Sequence, residues 1–231
     1  MNAFSMSERS DTVRSRTSTT RTAGFAAGDT VDGVLFDLLM AVMDSLAVWA
    51  AAAGDAARGL RWRDAVTTRM RQATGYVEYE ALVTDGAVQI GLPAGATTAL
   101  TLAWSRMRPW PDAEAVARLP LPYAFVTNCS APLADLAAAR SGLAPQFTLS
   151  AEAAGAFKPS PSIYRAACRR LGTAPERTLF VAGSPYDAAG AHAAGLVSAL
   201  VVRRPDLGSP DAPVRLLGNL REVVAALGDR A

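Results

Sequence analysis

From Pro120 onward the chain alternates strand-like apolar runs with helical patterns, and this alternation constrains the fold more than any other feature. "PYAFVTN" reads as a strand and "APLADLAAARSGL" as a helix ending at Gly142. "QFTLSAE" reads as a short strand, followed by "SPSIYRAACRRLG", a helix with Gly172 at its C-terminal cap. "RTLFVAG", "YDAAGAHAAG", "VSALVV" and "NLREVVAALG" continue as strand, helix, strand and helix. Apolar strands spaced by helices predict an α/β core, a parallel sheet covered on both faces. One more strand, "TVDGVLFD", comes far earlier, and a helix starting at Asp44 or Ser45 and reaching Ala53 follows it. Residues 58–117 then carry helical signals only. Leu60, Ala65, Val66 and Met70 recur at roughly helical spacing, and "PDAEAVARL" places Pro111 in a first helical turn. The expected architecture is an α/β core whose first strand is separated from the rest by an all-helical insert.

Composition narrows what such a fold could serve. The 231 residues suit one mid-sized domain, or a core with a smaller insert. A chain that is 50% apolar and 19% charged has the profile of a soluble globular protein. The net charge of +2, with Arg14, Arg16 and Arg21 near the start, makes no case for nucleic acid or a membrane surface. Val34–Met43 and Ser45–Ala53 are too short or interrupted to span a bilayer. Cys129 and Cys168 lack CxxC spacing and suit a reducing cytoplasm, the expected location. Residues 1–28, rich in Ser, Thr and Arg, read as a disordered leader, with Met6 an alternative start. The leader has no apolar run of a secretory signal, and Glu8 and Asp11 count against a transit peptide. The single histidine, His192, excludes a His-rich metal site. It lies in the Ala-rich stretch "AAGAHAAGL", where it reads as a solvated or packed helical residue.

Chemistry is expected where the strands of an open parallel sheet end, because loops and helix N-termini converge there. Asp37 ends the first strand, at the tip of "VLFD". Thr127 and Asn128 follow the second, and Lys158 in "AFKPSP" precedes a helix. Asp187 closes "GSPYD" after a further strand. A carboxylate nucleophile, two small hydrogen-bonding side chains, a cation and a second carboxylate would therefore share one pocket. A lone buried carboxylate costs several kcal/mol, so Asp37 needs such company.

In that order the residues resemble the haloacid dehalogenase superfamily from about residue 31 to the end. "VLFD" looks like its nucleophile motif, "FVTN" its Ser/Thr motif, "FKPSPSIY" its Lys-Pro motif and "LFVAGSPYDAAGAHAAGL" its acidic fourth motif. The resemblance implies a Rossmann-like core at 29–44 and 118–231 with a helical cap at 45–117, and covalent chemistry through Asp37. Most of that superfamily are magnesium phosphatases, which place a second Asp where this chain has Leu39 and a metal-binding Asp where it has Gly183. Magnesium asks for near-octahedral oxygen ligation, and Asp37 and Asp187 alone supply it poorly. No metal and no cofactor is expected.

The finer likeness is to the L-2-haloacid dehalogenases, the branch that dispenses with the metal. Tyr164 stands six residues after Lys158, Asn128 directly follows Thr127, and Trp62-Arg63 looks like a Trp-Arg pair early in the cap. The resemblance implies that Asp37 attacks C2 of a small 2-halocarboxylate to form an ester. Arg63 and Asn128 would stabilise the halide, and Thr127 with main-chain amides would hold the carboxylate. Lys158 would keep Asp37 ionised, Asp187 and Lys158 would activate water, and Tyr164 and Ser184 would complete the substrate site. Lids in this branch often pair, which implies a homodimer. One departure cuts the other way: the branch carries Gly-Thr where this chain has Met40 and Ala41. A weak or inactive member that binds a small metabolite is the alternative this leaves, with a magnesium phosphatase behind it.

Overall fold

The computed structural model describes residues 30–228, so the expected leader at 1–28 lies outside the described residues. Strand β1 (Gly33–Asp37) is buried throughout and is followed at once by a wide π-helical turn, Leu38–Val42. Four helices come next: α1 (Ser45–Ala53), α2 (Ala56–Gln72), α3 (Tyr79–Gln89) and α4 (Ala96–Trp104). The chain then alternates through β2 (Tyr123–Thr127), α5 (Ala131–Ser141), β3 (Thr148–Ser150), the single turn α6 (Ala151–Ala154) and α7 (Pro161–Leu171). It closes with β4 (Thr178–Ala182), α8 (Pro185–Ala193), β5 (Val197–Val201), β6 (Arg215–Leu217) and α9 (Leu220–Gly228).

The six strands form one parallel sheet in the order β3-β2-β1-β4-β5-β6. β1 lies between β2 and β4, the two strands whose loops carry Thr127-Asn128 and Asp187. This placement accounts for its sequence. A strand with neighbours on both edges and helices on both faces exposes nothing, so it reads as a continuous apolar run. The charge comes only at its tip.

Differences from the sequence reading are local. β6 went unforeseen: three residues after a Pro- and Gly-rich stretch leave too short a pattern to detect. "QFTLSAE" is a strand only to Ser150, whose hydroxyl accepts from Ala153 N at 3.0 Å and starts α6 instead. "PDAEAVARL" forms a 3-10 turn over Ala113–Arg118 in place of an α-helix. Asp44, the first of the two cap candidates, accepts from Ala47 N at 3.2 Å. Gly142 and Gly172 end α5 and α7 in the left-handed conformation, φ 68° and 79°.

The helical segment has its own apolar centre. The rings of Trp49 in α1 and Trp62 in α2 meet edge to face with centroids 5.0 Å apart, and the Trp62 indole donates to Val83 O at 2.8 Å. The two helices approach main chain to main chain at Gly59, where an added Cβ would sit 2.6 Å from Ala50 N and 2.7 Å from the Trp49 carbonyl carbon. Helix α2 also carries Arg63. Contacts cross to the sheet portion through Tyr76 and Phe157, with ring centroids 5.2 Å apart, and through Ser130 Oγ, which donates to Glu80 at 2.5 Å. No helix among the described residues is long and apolar enough to cross a membrane.

Because neither backbone can yield, Gly59→Ala should force α1 and α2 apart. We expect a loss of roughly 1–3 kcal/mol, read as a lower urea midpoint with an unchanged slope.

Candidate active site

Asp37, Lys158 and Asp187 meet at the carboxyl end of the sheet. The Lys158 ammonium donates to Asp37 Oδ1 at 2.8 Å, to Asp187 Oδ2 at 2.6 Å and to the Val126 carbonyl at 3.3 Å. All three of its protons are therefore used. Lys158 is 1% exposed, Asp37 4% and Asp187 fully buried, so none of these charges could stand there alone. The ammonium also sits 5.4 Å from the centroid of the Phe180 ring.

The backbone around Lys158 is clamped as firmly as its side chain. Asn128 Oδ1 accepts from Lys158 N at 2.7 Å, and Asn128 Nδ2 donates to Lys158 O at 2.9 Å. Asn128 therefore spends most of its carboxamide on the lysine main chain, which leaves one N–H for the cavity it also lines. Tyr164 does not reach that cavity. Its hydroxyl donates to Asp187 Oδ1 at 2.5 Å, so its partner is the second carboxylate and not a substrate. Helix α8 comes close enough for this only because Gly190 has no side chain: a Cβ there would lie 2.5 Å from Pro159 Cβ and 2.9 Å from Tyr164 Oη.

Electrostatics follow from this packing. Burial pushes the Asp187 carboxyl up to about 6, against the pull of the Lys158 charge. For Lys158, burial works against the ammonium, but the Asp187 and Asp37 charges outweigh it and hold the amine above its ordinary value. Burial, reinforced by Asp187, raises the Tyr164 phenol far above its ordinary value, which keeps it a donor.

The other expected site residues fall differently. Arg63 lines the cavity and is nearly buried, with Asp64 as a loose 3.5 Å partner. Thr127 is fully buried, and its hydroxyl lies 3.6 Å from the Cys129 thiol, away from the cavity wall. Ser184 is buried at the N-cap of α8, its hydroxyl without a hydrogen-bond partner among the described residues and off the cavity wall. Thr127, Tyr164 and Ser184, expected around the substrate, thus do not line this cavity. Each belongs to the layer behind the cavity, because the strand pleat and helix turn that carry it face the core. His192 is exposed near the end of α8.

The cavity has a volume of about 40 Å³, room for a few waters or a ligand of a handful of heavy atoms. Asp37 and Lys158 form one side, and Leu39, Met40, Trp49 and Met70 give an apolar wall. Four polar residues at this wall are not among the expected site residues: Ser45, Thr67, Tyr79 and Tyr186. Tyr186 was within reach of inference, as it directly precedes Asp187. Tyr79 was not, being one aromatic among several in the helical segment.

The residues present do not fit magnesium. Where a phosphatase carries its metal-binding Asp, Gly183 presses on the turn after β1, and a Cβ there would lie 2.3 Å from the Met40 carbonyl carbon and 2.4 Å from Ala41 N. Any carboxylate at 183 would displace that turn. The ammonium of Lys158 already bridges the two remaining acids, and the described residues hold no cluster of three or more His, Cys, Asp or Glu.

Removing the ammonium should have a pH signature. In Lys158→Met, Asp187 keeps the burial and the Asp37 charge that raise its pKa and loses the charge that lowers it. The folded state then binds a proton before the unfolded state does, so stability falls as pH rises through the Asp187 range. We expect a deficit of roughly 3–5 kcal/mol at pH 8 that shrinks by pH 5, measured from urea midpoints at both pH values.

The family of haloacid dehalogenase-like hydrolases matches residues 31–195. Among solved structures, a dehalogenase with an intermediate complex superposes with a TM-score of 0.76 at 24% identity, over 86% of this chain and 98% of the other. The L-2-haloacid dehalogenase from Xanthobacter autotrophicus gives 0.74 at 22%, over 87% and 100%. A further L-2-haloacid dehalogenase gives 0.71 at 24%, over 86% and 99%. No curated protein sequence matches the chain. At these identities the superpositions speak for the fold, while the match over 31–195 settles membership: the chain belongs to the haloacid dehalogenase-like hydrolases.

Proposed function

We propose that this hydrolase acts without a metal on a small 2-halocarboxylate through an ester on Asp37. The observation that carries the reading is the Asp37–Lys158–Asp187 bridge beside a cavity of about 40 Å³. Asp37 Oδ1 is held by the ammonium, while Oδ2 takes no hydrogen bond from any described side chain and is the attacking atom. It displaces halide from C2 in line: the C–O bond forms as the carbon–halogen bond breaks, and the halide leaves with the bonding pair. Arg63 and the remaining Asn128 N–H receive the halide, and the Tyr79 and Tyr186 hydroxyls meet the substrate carboxylate. The Xanthobacter autotrophicus enzyme has been solved with chloropropionic acid covalently bound, which makes a covalent route the natural one to test here.

Esterification neutralises Asp37 and removes one of the two charges that hold the Lys158 proton. Lys158 then passes a proton across the 2.6 Å contact to Asp187 and, as an amine, takes one from the attacking water. Water adds at the Asp37 acyl carbon, and the departing 2-hydroxy acid takes the relayed proton. Asp37 regains its charge by releasing the second water proton. Asp187, which does not touch the cavity, acts through Lys158 throughout.

Halide release from L-2-chloropropionate should persist in EDTA and fall by on the order of 10³-fold or more in Asp37→Asn. In the wild-type protein quenched during turnover, the peptide containing Asp37 should carry the added mass of the ester. Phosphate release from p-nitrophenyl phosphate that needs Mg²⁺, with no halide release from any 2-haloacid, would sink the proposal.

A further inference from the structure

The turn that follows Asp37 has no polar side chain with which to hold itself. Leu38–Val42 is apolar, and all of it but Leu39 is buried. Two of its carbonyls are nonetheless claimed by side-chain donors, and both donors come from distant parts of the chain. The Trp110 indole donates to Met40 O at 3.0 Å, and Arg203 Nη2 donates to Ala41 O at 2.7 Å. Arg203 lies over the Trp110 ring, 4.9 Å from its centroid. Its Nη1 donates to Asp112 Oδ2 at 2.9 Å, and that oxygen also accepts from Leu220 N at 2.6 Å. The backbone runs alongside as well: Trp110 N donates to Val42 O at 2.9 Å, and Asp44 N to Arg108 O at 2.9 Å. Gly183 closes the other side against Met40 and Ala41. Trp110, Asp112 and Arg203 do not line the cavity.

We infer that Trp110, Arg203 and Asp112 are positioning residues for Asp37, holding the turn behind the nucleophile through the carbonyls of Met40 and Ala41. The inference rests on the reading of Asp37 as the nucleophile. An arginine suits the task because a single guanidinium donates to a carbonyl, pairs with a carboxylate and stacks on an indole at once, which an ammonium cannot do. The side chains of Asp112 and Arg203 are 6% and 8% exposed, so little water competes for these bonds. An in-line displacement is sensitive to the placement of the attacking oxygen on the ångström scale. A turn of five apolar residues sets that placement only if something else fixes it.

Trp110→Phe removes one donor and keeps a ring beneath Arg203, and Arg203→Lys keeps the charge while losing the fork and the stack. In the full-length chain we expect kcat for halide release to fall roughly 10–100-fold in each, with KM within about twofold of wild type. Amide exchange over residues 38–43 should speed up by roughly tenfold, while β2 and β4 stay protected. A global rise in exchange in Arg203→Lys would reflect loss of the fold, and Trp110→Phe then decides. Ester formation on Asp37 at the wild-type rate in Trp110→Phe, or a rise in KM at constant kcat, would overturn the positioning role. Wild-type protein that forms no ester with any 2-haloacid would overturn the proposed 2-halocarboxylate reaction first, and the positioning role with it.

Discussion

One buried ammonium organises this protein. Lys158 spends its three protons on Asp37, Asp187 and the Val126 carbonyl, and so links the ends of β1 and β2 to the first turn of α8. The pairing is forced, because two carboxylates this well buried cannot both stay charged without a cation between them. It also leaves a remainder. Two acids and one lysine carry a net −1, which would repel an anionic substrate. Arg63 at the same cavity brings the local sum to zero. The raised Asp187 carboxyl and the Tyr164 hydroxyl that donates to it mark where the surplus charge is absorbed. The helical segment thus contributes more than a cover, since it supplies the cation the sheet end lacks.

How much of this was legible in the sequence depended on where each signal resides. Asp37, Lys158 and Asp187 were readable as a set: each is an ordinary residue near a strand end, and only their order, with the right elements between them, singles them out. Their partners were harder. Thr127 ends the right strand and Ser184 caps the right helix, yet whether a side chain faces the cavity or the core depends on the pleat of that strand and the first turn of that helix. Spacing alone does not resolve that. Tyr164 has the expected position and a different partner, because Gly190 lets α8 close against it. Strand β6 was too short to show a period, and Tyr79 had no local pattern to distinguish it from a packing aromatic.

The substitutions that looked like losses in the sequence read as a matched set in three dimensions. A Gly at 183 removes the metal-binding acid and also admits the backbone of Met40 and Ala41 into the vacated space. With that space filled, an Asp at 183 would displace the turn after β1. Ala41 offers no hydroxyl, and the carbonyl beside it is bonded instead to Arg203, more than one hundred and sixty residues away in sequence. The support for this turn is long-range in sequence. The nucleophile's geometry here therefore depends on β5 having paired with β4 and on the 3-10 segment having docked, because Arg203 follows the first and Asp112 precedes the second. A site assembled this way forms only once β5 has joined the sheet. Substitutions at 203 or 112 should accordingly be felt at Asp37 although neither side chain approaches it.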